Sequence, residues 1–319
     1  MGSYILRRIL ISIPMLLVIT IIAFLLLQLA PGDPISAYSP PEAPLPPEQR
    51  EALERQLGLN EPIWTRYFYW LKEALQGNLG PRSRNFAPVG EAIMSRLGPT
   101  LLLMVSALAI GIGLGLVLGV ISALKKYSIL DMVLTVFAFL GVSFPAYLGG
   151  LLGLYIFALT LGWAPAGGMS TAGAAGGGFV DVTRHLILPA SIIALNYVAS
   201  TMRYTRSAML EVLDQDYIRT ARAKGLKENA IVVGHALKNA LMPIITIIGS
   251  YIPNLLGGAV FIESIFGWPG MGRLFVDAVE ARHYPMVMGL ILILAILILV
   301  VNLLTDVAYA MVDPRVRYD

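Results

Sequence analysis

Six apolar runs constrain this chain more than anything else in it: residues 9–29, 99–124, 130–161, 186–208, 237–262 and 285–308. A hydrocarbon core about 30 Å thick needs roughly 20 apolar residues at 1.5 Å rise per residue. No water is available there to satisfy backbone N–H and C=O groups, so continuous runs of this length fold as helices that satisfy themselves. The reading is an all-α polytopic integral membrane protein with six transmembrane helices, residues 1–319 forming one domain. The third run is the longest, and Pro145 in "GVSFPAYLGG" predicts a kink within it. The first run follows Arg7 and Arg8, as a signal peptide would. Its length exceeds an ordinary signal core and no small-x-small cleavage site follows, so it reads as a retained span.

Composition narrows the function. With 57% hydrophobic and 13% charged residues, the chain is too apolar for a soluble domain. It has no cysteine, which excludes disulfides, thiolate metal sites and a cysteine nucleophile. The net charge of +3 sits between apolar runs, a placement that orients a membrane protein rather than binding nucleic acid. Arg7 and Arg8, Lys125 and Lys126, the six cations Arg203, Arg206, Arg219, Arg222, Lys224 and Lys227, and finally Arg315 and Arg317 fall on one side if there are six spans. Both termini are then cytoplasmic, residues 30–98 form the large outer segment, and residues 209–236 form a cytoplasmic loop.

That inner loop is the densest polar stretch, with seven charged residues from Asp214 to Glu228. Asp214 or Asp216 is expected to cap a short helix through "YIRTARAK". Gly225 permits a bend that a Cβ would resist, and "KENAIVVGHALKNAL" starts the helix entering the fifth run. Ala221 and Ala223 leave room for close approach by another protein, while Arg219, Arg222 and Lys224 suit an acidic or polar partner. Local physics alone leaves open an interfacial helix held by anionic lipid.

Outside the membrane, "PGDP" (31–34) reads as a turn and Pro47 opens a short helix. In "WTRYFYWLKEAL" Trp64, Tyr67, Phe68, Leu71 and Leu75 share one helical face, which suits either the membrane interface or packing on the spans. "AGGMSTAGAAGGG" (166–178) reads as an external loop, since no GK[ST] follows it. Gly111, Gly115 and Gly119 allow close helix packing, within the chain in preference to a partner. No P-loop, metal-ligand spacing or nucleophile motif occurs, and span interiors are nearly without charge. Asn196 and Asn254 are the polar candidates for a pathway. Ion-coupled carriers usually have ionisable groups there, so the reading is that driving energy comes from elsewhere, with an ion-coupled secondary transporter as the alternative.

At these residues the chain resembles a known family. "YIRTARAKGL…HALKNAL" is similar to the coupling loop of ABC-importer permeases, whose general pattern is Glu-Ala-Ala, Gly and Ile-x-Leu-Pro. Gly225, Ala221 and Leu237 match it, whereas Arg219, Thr220, His235 and Lys238 replace the glutamate, first alanine, isoleucine and proline. The variant is that of dipeptide/oligopeptide permeases. "LLQLAPGDP", "LGLNEPIWTRYFYWL", "GNLG", "RLGPTLLL", "FIESIFGWPGMGRL" and "NLLTDVAYAMVDPRVRY" resemble their B-type subunit across nearly the whole chain. "ARHYP" departs from it, because Asp is more usual at His283.

The resemblance implies a type I ABC importer transmembrane fold and a permease subunit, not an enzyme. A homologous second permease would complete the pathway. Two cytoplasmic ATPases, carrying ATP and Mg that this chain does not bind, would grip the elbow at Tyr217, Arg219, Thr220, Ala221, Arg222, Ala223, Lys224, Gly225 and Leu226. An extracytoplasmic solute-binding protein would face Phe266, Trp268, Pro269, Gly270 and Arg273, with Trp268 suited to an interface. Peptides are the implied cargo, with nickel chelates or oligosaccharides as alternatives carried by close relatives.

Overall fold

A computed structural model gives the backbone of residues 2–30, 35, 38, 45–56, 58–80, 87–171 and 178–312; side chains 2–4, 56, 242, 246, 248–249, 252–258 and 307–312 are not described. The PGDP turn, residues 172–177 of the Gly/Ala-rich loop, Arg315 and Arg317, and the Asn254 side chain lie outside the described residues.

Among those residues there are helices and no strands. They are α1 (Gly2–Leu29), α2 (Pro47–Gln56), α3 (Ile63–Leu75), α4 (Val89–Leu124), α5 (Ile129–Ser143), α6 (Ala146–Gly153), α7 (Phe179–Leu213), α8 (Asp216–Ala223), α9 (Glu228–Ala230), α10 (Lys238–Ile265), α11 (Met271–Glu280) and α12 (Tyr284–Val312). Wider π-type turns, Leu154–Thr160 and Ile231–Leu237, extend α6 and join α9 to α10. Helices α1, α4, α7 and α12 are each long and apolar enough to cross a membrane. α5 and α6 qualify as a fifth span only as a pair, because the chain bends by 103° between them. Pro145 stands at that break, immediately before α6. α10 covers the remaining apolar run.

The chain divides into two compact units, Met1–Thr100 with Pro269–Val300, and Leu101–Trp268 with Val301–Asp319. In the first, Val89 and Ile93 of α4, Met271 and Leu274 of α11 and Met286 and Leu290 of α12 form the core. Helix α3 joins it through Tyr67, which is buried beside Phe24 of α1 and Met288 of α12. The Tyr67 hydroxyl also lies 3.0 Å from Thr20 Oγ1. The aromatic face of α3 is therefore Tyr67, Trp70 and Leu71; Trp64, Phe68 and Leu75, expected on the same face, are exposed.

The second unit is mounted on α7. Gly111, Gly115 and Gly119 of α4 meet Tyr197, Thr201 and Thr205 of α7 in order, so the two helices run parallel. A Cβ added at each glycine would come within 2.5 Å of its partner's Cβ. The glycine seam is thus internal to the chain, and the absent side chains allow the backbones this approach. α10 reaches α7 where the Tyr197 and Tyr251 rings lie 4.9 Å apart. At α5, Arg206 of α7 donates from Nε and Nη2 to the two carboxylate oxygens of Asp131, at 2.7 and 2.8 Å. Ser122 of α4 donates to the same carboxylate. Arg203 and Arg206, counted among the inner cations, are thus residues of α7, which runs past its apolar stretch to Leu213.

The seam predicts opposite outcomes for two neighbouring glycines. Gly115→Ala should lower the thermal midpoint of the solubilised protein, with an overpacking cost of about 1–3 kcal/mol. Gly113→Ala, where an added Cβ meets nothing within 4 Å, should be neutral or slightly stabilising.

Candidate functional site: the elbow and the outer loop

The polar loop folds because one face of α8 is apolar. Ile218 and Ala221, one turn apart, are buried against Ala123 of α4, Met209 of α7 and Ile231 and Val232 of the following π-type turn. Burying an isoleucine of this kind contributes about 1.5–3 kcal/mol, enough to hold an eight-residue helix that would not persist alone in water. Neither aspartate caps α8. Gln215 occupies the cap position without a side-chain bond, and Asp214 ends α7. Asp216 lies inside the first turn, where a carboxylate favours the helix N-terminus, and pairs with Arg219 at 3.2 Å.

The helix ends in a Schellman arrangement. Gly225 N–H donates to Arg222 C=O at 2.9 Å and Leu226 N–H to Ala221 C=O at 3.3 Å. This closure requires the left-handed φ of +78° that Gly225 adopts. Across the bend, Arg222 donates Nη2 to Glu228 Oε1 at 2.7 Å and Nε to Oε2 at 3.2 Å. The forked bond holds the Glu228 carboxyl below, and the Arg222 guanidinium above, their ordinary ranges. It ties α8 to the start of α9, so the elbow has a fixed angle.

This geometry sorts the residues of the elbow. Tyr217, Arg219, Thr220, Ala223, Lys224, Gly225 and Leu226 are exposed together. Tyr217 and Leu226 remain about half exposed, at 45% and 44%, leaving two large apolar groups among cations. Arg222 is exposed but engaged with Glu228. Ala221 points inward, so of the two small residues only Ala223 leaves room for a partner. Sequence reasoning missed Ile218, the anchor, although it is the one large aliphatic residue of α8. It also missed the Asp131–Arg206 pair, whose members lie 75 residues apart with no local signal.

The turn before α11 corrects a second expectation. Trp268 and Phe266 are fully buried in the core of the second unit beside Ile262 and Ala259, not at an interface. Gly267 at φ +57° turns the chain inward, and Trp268 N–H donates to Glu263 C=O at 2.8 Å. Gly270, buried, precedes α11 in extended form. Met271 N–H donates to Thr100 Oγ1 at 2.8 Å. Pro269 is partly buried, and Arg273, with its side chain 43% exposed, is the outward group. Asn196 is exposed on α7.

A family model described as "Binding-protein-dependent transport system inner membrane component" matches residues 115–318, and its N-terminal companion matches residues 1–102. The chain belongs to this family. As a permease it is 51% identical over 318 residues to a putative peptide permease protein of Brucella suis biovar 1, covering 99% of each chain. It is 45% identical over 319 residues to the oligopeptide transport system permease protein AppB of Bacillus subtilis, covering 100% of each. It is 36% identical over 318 residues to the glutathione transport system permease protein GsiC of Escherichia coli strain K12, again covering 100% of each. Among solved structures it resembles the inward-facing MetNI methionine ABC transporter with TM-score 0.53 and 15% identity, over 71% of this chain and 98% of that one. An amino acid ABC transporter with histidines gives 0.51 and 18%, over 71% and 94%. These two likenesses concern the fold, that of type I importer permeases. The protein is thus a multi-pass plasma-membrane permease component of a binding-protein-dependent ABC importer, and its family is not a catalytic one.

His283 fills a defined structural role. Its Nδ1 accepts the Met286 N–H at 3.0 Å in the first turn of α12, the role an aspartate would fill. Burial pushes its pKa down to about 4 from 6.5. The unfolded chain then binds more protons between those values, so stability is complete above about pH 6.5 and falls as pH drops toward 4. Differential melts at pH 7 and pH 5 should show part of this loss, about 2 kcal/mol, and His283→Asn should flatten it.

Gly225 makes a prediction of its own. An added Cβ meets nothing within 4 Å, so only the backbone conformation resists substitution. Gly225→Ala should cost about 1–2 kcal/mol, read as a lower melting temperature, and Gly225→Asn should cost less.

Proposed function

We propose that this chain is the driven half of a peptide importer's pathway, and that the exposed face of α8 is where a separate motor takes hold. The observation that carries the reading is the elbow. A rigid, capped helix presents Tyr217, Leu226, Arg219 and Lys224 outward while Ile218 and Ala221 lock it onto α4, α7 and the turn into α10. A partner that displaces this helix displaces the helices on which it is seated. Two ATPase subunits supply the motion, one at this elbow and one at that of a second, homologous permease, and ATP and Mg stay on those subunits.

In this reading the chain crosses the membrane six times, with α5 and α6 together as the third span and α10 as the fifth. Both termini and the 209–236 loop are cytoplasmic, and residues 30–98 are outside. The Asp131–Arg206 bond and the parallel α4–α7 seam support that sidedness, since they bring Lys125 and Lys126 to the same end of the unit as the elbow. An external binding protein delivers solute near Pro269, Gly270 and Arg273; Asn196 and Asn254 are assigned to the pathway. The names of the relatives support a peptide cargo.

The test is uptake by the full complex in proteoliposomes. Tyr217→Ala combined with Leu226→Asp should lower ATP-dependent peptide uptake at least 10-fold and release the ATPases on purification, while the chain still inserts. Two exposed apolar anchors at an interface centre are commonly worth 2 kcal/mol or more each. Unchanged uptake and unchanged ATPase retention would rule out the elbow as the docking point.

A further inference from the structure

α7 carries two arginines one turn apart, and the structure treats them differently. Arg206 is neutralised by its forked bond to Asp131. Arg203 takes part in no ion pair among the described residues, and its Nε is buried without an acceptor there. Its guanidinium lies 5.7 Å from the centre of the Phe139 ring, a stacking contact that orients a cation without neutralising it. A guanidinium whose Nε is buried with neither counter-ion nor acceptor is costly to keep, so Arg203 stands as a candidate functional group.

Its surroundings indicate what it serves. Asn196, Ser200, Arg203 and Ser207 follow one another at helical spacing on a single face of α7. Asn196 and Ser207 are exposed, while Ser200 and Arg203 are partly so. The opposite face, with Ala194, Val198, Met202 and Thr205, is buried. At 1.5 Å per residue, counted inward from residue 208 where the apolar run ends, Arg203 lies about 8 Å and Asn196 about 18 Å along the helix. Asn196 thus lies too deep for a lipid headgroup, and a continuous polar stripe of this kind suits a passage for a polar solute.

We infer that Arg203 is a specificity-determining residue that receives a terminal carboxylate of the passing peptide. This inference rests on the peptide reading above. The planar guanidinium matches a carboxylate in a forked geometry that an ammonium does not reproduce, and Asn196 and Ser200 offer hydrogen bonds to the peptide backbone along the same face.

The experiment uses the whole complex in proteoliposomes with saturating loaded binding protein. It compares a peptide with its C-terminal amide, chosen as a pair that the binding protein holds equally well. Wild type should favour the free acid. Arg203→Gln should lower maximal uptake of the acid about 10-fold, abolish the acid/amide preference and leave the KM for loaded binding protein within 2-fold. Arg203→Lys should recover part of the rate. An unchanged acid/amide ratio in Arg203→Gln overturns the inference. So does loss of the second permease from the purified variant, which would place the counter-ion on that chain. Wild type that imports no peptide but does import another solute refutes the peptide reading itself, a distinct result.

Discussion

The close approach of α4 to α7 is the contact on which the rest of the second unit is built. Three glycines at four-residue spacing remove the side chains that would hold two helices apart, and Tyr197, Thr201 and Thr205 fill the ladder from the other side. In a bilayer, where burying apolar groups brings little gain over lipid, such packing is a main source of helix association. Once α4 lies along α7, Ser122 and Arg206 converge on Asp131 and draw in the start of α5. The Tyr197 and Tyr251 rings then seat α10 on the same helix.

The elbow inherits its rigidity from that scaffold. Its anchors, Ile218 and Ala221, are buried against residues of α4 and α7 that the seam has already brought together. The forked Arg222–Glu228 bond and the Schellman closure at Gly225 hold the angle between α8 and the next helix. The wider turn Ile231–Leu237, leading directly into α10, is a local irregularity of the sort that often accompanies functional sites in helices.

Much of this was legible from residue order. The break at Pro145, the bend at Gly225 and the small-residue seam each follow from a local property: a missing N–H, a permitted positive φ, an absent Cβ. Other features were not legible, because they depend on what lies opposite. Trp268 has the composition of an interfacial anchor, yet Gly267 turns it into a pre-existing apolar core. Asp214 and Asp216 look like caps, but α7 runs on to Leu213 and α8 begins at Asp216, leaving Gln215 at the cap position. Ala221 and Ala223 are alike in sequence and opposite in role, one packed inward and one exposed.

By itself the sequence determined that this chain enters the membrane as helices, where along the chain its polar loop falls and which family it joins, since apolar length and backbone self-satisfaction leave few alternatives. Tertiary structure alone decided which charges are spent and which remain available. Two arginines three residues apart have the same local chemistry, and only the position of Asp131, 75 residues from Arg206, neutralises one and leaves the other without an ion pair among the described residues.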